Sequence, residues 1–384
     1  MTQKTVYILG AGFSMNAGAP SQGQLIKEIY KLKTTYTKSS KAKVQEWVDK
    51  FDDFLKNSLM VSENEINNYT LEDIYTPLDK CISENIPFRQ HTPKNLSELR
   101  DIFNRLIVLA VRGSIENSNK KKDSVYNFAK HLLELSRERI KNEKTDNVSV
   151  ITTNWDIMLD NTLYSLMSKE TKPKSIKFSG VVDYCCYISS LDKNDDSIKP
   201  GLYAIGKGRY NTKILKLHGS LNWMQCPRCQ RLYVKFYQKW NGGYIFDKKY
   251  CRHCDSNFGA KQEEANLLMT NLIMPTFLKN LNNIQNKLIW QNAGIELSEA
   301  SKIVFLGYSL PQADFEFKQL LSRMIRRDAK IEAVLVEDDN PDNLKDSDSS
   351  KYQTAGFRYQ NFFSGREIKI HYDGVETYIK KYCH

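Results

Sequence analysis

Five short apolar runs constrain the fold of this 384-residue chain more than any other feature of its sequence. The runs occupy residues 6–9, 148–152, 214–217, 303–306 and 333–336. Each is followed within a few residues by Gly, Asn, Asp, His or Ser. Apolar runs of this length are typical of strands that are buried on both faces of a parallel sheet. The sequence therefore predicts an α/β fold built on a Rossmann-like parallel sheet, with polar residues gathered at the strand ends.

A long helical segment separates the first two runs. Across residues 24–145, apolar side chains recur at spacings of three and four, as at Leu99, Ile102, Leu106 and Leu109. This spacing is typical of amphipathic helices whose apolar face is buried. We expect residues 24–145 to form a helical insertion within a single domain that spans residues 1–384. Further helices are predicted at about 283–299 and 315–327.

Charge and hydropathy narrow the classes of partner. The formal net charge is +11, which is typical either of attraction to an anion or of a solvated, lysine-rich surface. The second interpretation is favoured because the lysines are scattered, and no helix interleaves basic with aromatic residues as a nucleic-acid groove would. No stretch approaches 18 consecutive apolar residues, so no membrane span is predicted. The first residues enter a strand at once and leave no room for a signal peptide, so we expect a cytoplasmic protein.

Four of the eight cysteines have the spacing of a metal site. Cys226 and Cys229 form one Cys-x-x-Cys pair, and Cys251 and Cys254 form a second pair after 21 intervening residues. Two such pairs provide four thiolates, the ligand set of a closed structural zinc site. We expect a small zinc module at residues 224–260. The alternative is that the four thiols carry no ligand.

A glycine loop follows the first run. Gly10, Ala11 and Gly12 lie between a predicted strand and a predicted helix, which is where a backbone can closely approach a pyrophosphate. Met15 stands where the third glycine of a G-x-G-x-x-G motif would be, and no acidic residue follows about twenty positions later. An ordinary Rossmann dehydrogenase is therefore a poor fit.

Asn154, Asp156 and His218 are each ambiguous when taken alone. Asn and Asp just after a strand often close turns or cap helices. A single histidine is more often a hydrogen-bonded core residue than a catalytic one.

Taken together, these segments and two later ones resemble the sirtuin superfamily, whose shared chemistry cleaves NAD between ribose and nicotinamide. The resemblance covers the scaffold of the chain but not the helical insertion. It is carried, in order, by Gly10 to Ser14 with Gly18 and Pro20, Thr152 to Asp156, Leu217 to Ser220, Gly307 to Leu310, and Glu337 with Asp338. It implies that Gly10, Ala11, Gly12, Ser14, Gly307 and Ser309 meet the phosphates and ribose, and that Glu337 and Asp338 meet the adenosine ribose.

The resemblance also implies catalytic roles. Asn154 would position a water or a ribose hydroxyl near the anomeric carbon, and Asp156 would hold the nicotinamide carboxamide. His218 would act as a general base, since the unperturbed pKa of histidine is near about 6.5.

Two departures from sirtuin deacylases bear on the substrate. Ser21, Gln22 and Gly23 follow Pro20 where deacylases have a Phe and an Arg, and residues 273–279 lack their Phe-Gly-Glu stretch. The chain is in this respect similar to bacterial sirtuin-like effectors of anti-phage defence, which hydrolyse NAD. That similarity implies an NAD glycohydrolase that is activated by assembly, as a homo-oligomer, or by a separate protein such as an ATPase or an Argonaute-like partner. An NAD-dependent lysine deacylase and a non-catalytic NAD or ADP-ribose sensor remain as alternatives.

Overall fold

The computed structural model describes residues 3–35, 41–120, 122–170, 179–191, 209–236, 248–258, 264–279, 281–345 and 349–383. The strands in these ranges are β1 (Thr5–Leu9), β2 (Val148–Thr152), β3 (Gly180–Asp183), β4 (Ile188–Ser190), β5 (Tyr210–Lys216), β6 (Gly219–Gln225), β7 (Leu232–Val234), β8 (Met269–Leu272), β9 (Lys302–Leu306), β10 (Lys330–Val334) and β11 (Lys369–His371).

The helices surround these strands. They are α1 (Ala11–Met15), α2 (Leu25–Thr35), α3 (Lys41–Asp53), α4 (Leu71–Glu84), α5 (Pro93–Glu116), α6 (Asp123–Lys141), α7 (Met158–Lys169), α8 (Arg252–Asn257), α9 (Ile284–Glu299), α10 (Phe315–Met324), α11 (Ala355–Phe362) and α12 (Gly374–Tyr382).

Seven strands form one parallel sheet in the order β11-β10-β9-β1-β2-β5-β3. The central strand β1 pairs with β2 on one side and with β9 on the other. Leu9 stands opposite both Thr152 and Leu306, so these three strands end at the same level. The polar segments that follow them consequently meet at one edge of the sheet. The predicted α/β fold with a parallel sheet is confirmed.

The sheet and the loop after β1 differ in detail from the prediction. Helix α1 begins directly after Gly10 and so includes part of the glycine loop, which the sequence placed between a strand and a helix, and a 3-10 turn follows at Gln22–Gln24. Strand β10 ends at Val334 rather than at residue 336. Strand β11 was not predicted. It has three residues and one apolar side chain, Ile370, which is too short a segment to show a periodic pattern.

Helices α2 to α6 lie where the helical insertion is predicted, although residues 36–40 and 121 of it lie outside the described ranges. The insertion contains an aromatic cluster of its own. The Phe51 and Phe103 rings are 5.0 Å apart, and the Phe54 and Phe103 rings are 5.5 Å apart. Such edge-to-face pairs add to the burial energy of the helices.

A second sheet has four strands in the order β4-β7-β6-β8. Cys226 and Cys229 lie in the turn between β6 and β7, and Cys251 and Cys254 lie at the start of α8. Within the predicted zinc module at 224–260, residues 237–247 and 259–260 lie outside the described ranges. Among the helices that the structure describes, none combines the length and the apolar character needed to span a bilayer.

Candidate functional site

A cavity of about 480 Å³ opens at the carboxyl edge of the large sheet. It lies where the chain order reverses, with β2 on one side of β1 and β9 on the other. In open α/β sheets, ligands bind at this switch point. The predicted site residues that line it are Ala11, Gly12, Ser14, Asn154, Asp156, His218, Gly307 and Ser309.

The glycine loop and the loop after β9 pack backbone against backbone at the floor of the cavity. The Gly12 N–H donates to the Gly307 carbonyl (2.9 Å), and the Gly10 N–H donates to the Leu306 carbonyl (3.1 Å). A Cβ on Gly10 would lie 2.4 Å from the Cα of Tyr308. Gly307 has a φ of +61°, and a Cβ there would lie 2.4 Å from the carbonyl carbon of Gly12. These contacts require glycine, both for close approach and for backbone conformation.

Asn154 is fixed against the glycine loop. Its Nδ2 donates to the Gly10 carbonyl (2.8 Å) and to the Ser14 hydroxyl (3.3 Å), and its backbone N–H donates to Thr152 Oγ1 (3.0 Å). Because the amide nitrogen is committed to these two acceptors, the amide oxygen remains to accept a hydrogen bond from a ligand or a water.

Asp156 lies buried beside Asn154. Its Oδ1 accepts the backbone N–H of Met158 (3.1 Å), which closes the turn into α7. Burial raises the pKa of the Asp156 carboxyl, while the nearby Lys216 ammonium and Ser14 hydroxyl oppose that rise. As a carboxylate, this side chain could accept an amide N–H, and when protonated it could donate to an amide carbonyl.

His218 follows β5 and lines the same cavity. Its side chain is 6% exposed, and its Nε2 lies 3.4 Å from Oδ1 of Asp314. Burial lowers the pKa of the His218 imidazole, Asp314 acts to raise it, and Lys279 acts to lower it further. On balance the pKa lies below the usual value, so the ring is neutral and can accept a proton at neutral pH.

The end of the cavity beyond β10 differs from the predicted ribose site. Glu337, Asp338 and Asp339 form a single 3-10 turn, and of these three only Asp339 lines the cavity, together with Val336. Glu337 instead accepts a hydrogen bond from Asn343 (2.8 Å). A turn of three residues points its side chains in different directions, so the sequence could not identify which acid faces the cavity.

The helical insertion also contributes to the cavity lining, through Glu72 at the start of α4 and Val111 in α5. The Nε2 of Gln22, in the loop after the glycine motif, donates to Glu72 Oε2 (2.6 Å). No sequence pattern predicted this contact, because the two residues are fifty positions apart. The sequence analysis also did not predict that Asp314 and Lys279 lie near His218, because nothing in the local sequence distinguishes either of them from a charged surface residue.

The four predicted metal ligands come together. The Sγ atoms of Cys226 and Cys254 are 3.7 Å apart, as are those of Cys229 and Cys251, and all four lie within 4.8 Å of one another. Thiolates bound tetrahedrally to zinc at about 2.3 Å would be separated by roughly 3.8 Å. The Tyr233 hydroxyl lies 3.3 Å from the Cys251 sulfur, where it can orient a ligand. The donor set and its spacing fit a structural zinc ion.

Comparison with known proteins gives matches among solved structures alone. No protein-family model matches the chain, and no curated protein matches it. Sir2 bound to a p53 peptide and NAD+ matches with 15% identity over 99% of this chain and 92% of that chain, at a TM-score of 0.36. Sir2Tm bound to a propionylated peptide matches with 13% identity over 99% of this chain and 92% of that chain, at a TM-score of 0.35. A structure on the mechanism and regulation of Sir2 enzymes matches with 12% identity over 99% of this chain and 90% of that chain, at a TM-score of 0.39. Such loose superpositions assign no activity to this chain.

Proposed function

We propose that this protein is a sirtuin-like NAD glycohydrolase, which cleaves NAD to nicotinamide and ADP-ribose. The observation that carries the proposal is the convergence of Asn154, Asp156 and His218 on one cavity that the glycine loop also lines. These side chains follow two different strands, and Asn154 and His218 are 64 residues apart in the sequence. Their convergence is therefore a property of the tertiary fold.

The chemistry needs little acid catalysis. When the bond between ribose and nicotinamide breaks, the pyridinium leaves as a neutral molecule and the ribose becomes oxocarbenium-like, as in glycoside hydrolysis. The protein must therefore fix the reacting groups and favour the developing cation. The amide oxygen of Asn154 is held by the glycine loop and would accept a hydrogen bond from the attacking water or a ribose hydroxyl. Asp156 would pair with the carboxamide of nicotinamide.

His218 would remove a proton from the water or the ribose hydroxyl. A general base works only when it is unprotonated, so turnover should rise with pH through the pKa of His218 and then level off. Because the pKa is lowered by burial, this rise should lie below pH of about 6.5.

Water is favoured over an acyl-lysine as the nucleophile. Ala19, Pro20, Ser21 and Gln22 line the cavity, and Gln22 is fixed by its hydrogen bond to Glu72, which lines the cavity as well. No aromatic side chain stands in this loop to cover the ribose face, since residues 18–23 are Gly, Ala, Pro, Ser, Gln and Gly. These small and polar side chains support water access.

The first experiment measures NAD consumption by the purified full-length chain, with nicotinamide and ADP-ribose quantified. His218→Ala and Asn154→Ala should each lower turnover by about a hundredfold or more. His91→Ala is the matched control, because His91 lies in the helical insertion and bonds to Ser58, and it should keep full turnover.

A parallel reaction contains an acetylated peptide. Nicotinamide release that requires the peptide and yields deacetylated product would replace the hydrolase with the deacylase. NAD binding without turnover, with or without the peptide and also after addition of infected-cell lysate as a source of activator, would favour the sensor.

We further propose, on the sequence resemblance alone, that the enzyme serves anti-phage defence by NAD depletion. In this proposal the activity is held back until the chain assembles or meets a regulatory protein. Full constitutive turnover by the purified monomeric chain would contradict this regulation, while leaving the hydrolase itself intact.

A further inference from the structure

We infer that Asp339 selects NAD over NADP, because its carboxylate stands where the 2′-phosphate of NADP would lie. This selection rests on the proposed function, which fixes the direction in which the dinucleotide lies in the cavity. It restricts the substrates to dinucleotides that carry a free 2′-hydroxyl on the adenosine ribose.

The order of the strands fixes the direction of the dinucleotide. His218 follows β5, Asn154 follows β2, the glycine loop follows β1, Gly307 follows β9 and Asp339 follows β10. In the sheet these strands stand side by side in the order β5, β2, β1, β9 and β10. With the nicotinamide ribose at Asn154 and His218, the pyrophosphate lies over the glycine loop. The adenosine half then lies over the ends of β9 and β10.

The adenosine end of the cavity is apolar apart from one acid. Val334, Leu335, Val336 and Val375 line it together with Asp339. Apolar side chains suit the faces of a purine, and a carboxylate accepts hydrogen bonds from the hydroxyls of a ribose. This end of the cavity therefore fits an adenosine whose 2′-hydroxyl is free.

The backbone around Asp339 holds its carboxylate in place. The Asp339 Oδ1 accepts the N–H of Ala355, the first residue of α11 (3.3 Å), and the Asp339 N–H donates to the Val336 carbonyl (3.0 Å). A Cβ on Gly356 would lie 2.6 Å from the Asp339 carbonyl oxygen, so the turn and the helix are closely packed. A carboxylate has further acceptor positions, which remain for a ligand. Asp339 thus places its own negative charge at a helix N-terminus, where a phosphate would otherwise be favoured.

The other charges of the cavity do not offset a further phosphate. Its acidic lining residues are Glu72, Asp156, Asp314 and Asp339, and no lining residue within the described ranges is Lys or Arg. The chain as a whole nevertheless has a net charge of +11. A 2′-phosphate adds about 1.5 to 2 negative charges at pH 7. Against the Asp339 carboxylate these charges repel, so NADP is disfavoured.

Arg358 of α11 is a cation that interacts with Asp339 from outside the cavity lining. Burial lowers the pKa of the Arg358 guanidinium, and Asp339 acts to raise it. The guanidinium donates to the Ser309 carbonyl (2.8 Å) and to the Gln353 carbonyl. Loss of the Asp339 charge would leave Arg358 without this compensation, and the adenosine end would then favour a phosphate.

The first test compares the kcat/KM values of the full-length chain for NAD and for NADP, with nicotinamide release as the common readout. The wild type should prefer NAD by about a hundredfold or more, because like charges strongly disfavour the wrong ligand. Asp339→Asn keeps the size of the side chain and an oxygen for the Ala355 N–H but removes the charge. It should lower the preference by at least about tenfold, through a higher KM for NAD and a lower KM for NADP.

Asp342→Asn is the matched control. Asp342 is exposed and does not line the cavity, so the same loss of charge there should leave the preference within about twofold of the wild type. Equal use of NAD and NADP by the wild type, or an unchanged preference in Asp339→Asn, would overturn the inference. If Asp339→Asn does not fold, Asp339→Ser takes its place, since it also keeps an acceptor without the charge.

The second test measures binding and needs no turnover. Isothermal titration calorimetry compares ADP-ribose with 2′-phospho-ADP-ribose, neither of which contains the bond to nicotinamide. The wild type should bind ADP-ribose at least about tenfold more tightly, and Asp339→Asn should narrow or reverse that difference. If the wild type turns over neither dinucleotide but shows this difference, the proposed function fails while the role of Asp339 stands. If it hydrolyses both dinucleotides equally well, the hydrolase stands and the selection by Asp339 fails.

Discussion

At the scale of single residues, the site depends on backbone contacts that only glycine allows. Gly12 and Gly307 bring the loops after β1 and β9 together, so that two strand ends share one cavity floor. A side chain at either position would separate the loops. The sequence motifs indicated that both glycines belong to the ligand site. They did not indicate that the two loops pack against each other.

Gly307→Ala should therefore destabilise the protein. The φ of +61° disfavours any side chain, and the added Cβ would lie 2.4 Å from the backbone of Gly12, so we expect a loss of about 2 kcal/mol or more in the free energy of unfolding. Urea denaturation measures this loss.

Gly113→Ala serves as the control. Gly113 lies inside α5, and a Cβ there would meet nothing within 4 Å. Alanine is the better helix former, so this variant should be more stable by up to about 1 kcal/mol. A Gly307→Ala protein as stable as the wild type would mean that the two loops do not pack as described.

At the scale of elements, the cysteine cluster brings two separate segments of the chain together. The four sulfurs join the turn before β7 to the start of α8, across residues 226–254. A metal bound by all four sulfurs would therefore add to the stability of the folded chain.

We predict about one zinc ion per chain in the purified protein. Cys254→Ser should lower the bound zinc below half of that value and lower the melting temperature by roughly 5 °C, because one of four ligands is lost. Elemental analysis and thermal unfolding measure the two effects. Cys81→Ser, in a buried thiol of α4 outside the cluster, should keep its zinc. Full zinc content in Cys254→Ser would show that the cluster is not the metal site.

At the scale of the whole molecule, the two edges of the large sheet have opposite roles. The carboxyl edge carries the cavity, whereas the amino edge is joined by a buried network of ion pairs. Lys4 contacts Asp146 (2.8 Å), Glu296 (2.7 Å) and Glu299 (2.7 Å), and Lys213 contacts Asp146 and Glu296 (2.6 Å each). Burial alone would lower the pKa of Lys4, but Glu296 and its neighbours raise it above the usual value, so the ammonium stays charged.

Lys4→Met should destabilise the fold by about 1–3 kcal/mol at neutral pH, because Asp146 and Glu296 each lose one of their cationic partners and keep only the others. Burial acts to raise the pKa of Asp146, but Lys213 and Lys4 lower it on balance. The stability that Asp146 contributes is therefore present above its unfolded pKa of about 3.9 and is lost as the pH falls through the lower folded value. Without Lys4 that folded value rises, so acid unfolding should begin at a higher pH.

Urea denaturation at neutral pH and an acid titration followed by circular dichroism measure these two effects. Lys27→Met, on the exposed face of α2, is the control and should change neither. Acid unfolding of Lys4→Met at the wild-type pH would contradict the coupling between Lys4 and Asp146.

The local sequence by itself determined five strands of the large sheet, the glycine loop and the cysteine pairs. Apolar runs and fixed spacings are local signals, and strands buried on both faces have few other residue choices. Tertiary structure alone decided that Asp314 stands against His218, that Asp339 rather than Glu337 or Asp338 lines the cavity, and that Glu72 of the insertion bonds to Gln22. These contacts join residues distant in the chain, or select one of several equivalent neighbours. A charged residue has the same local pattern whether it meets water or a buried partner, so only the folded chain distinguishes the two.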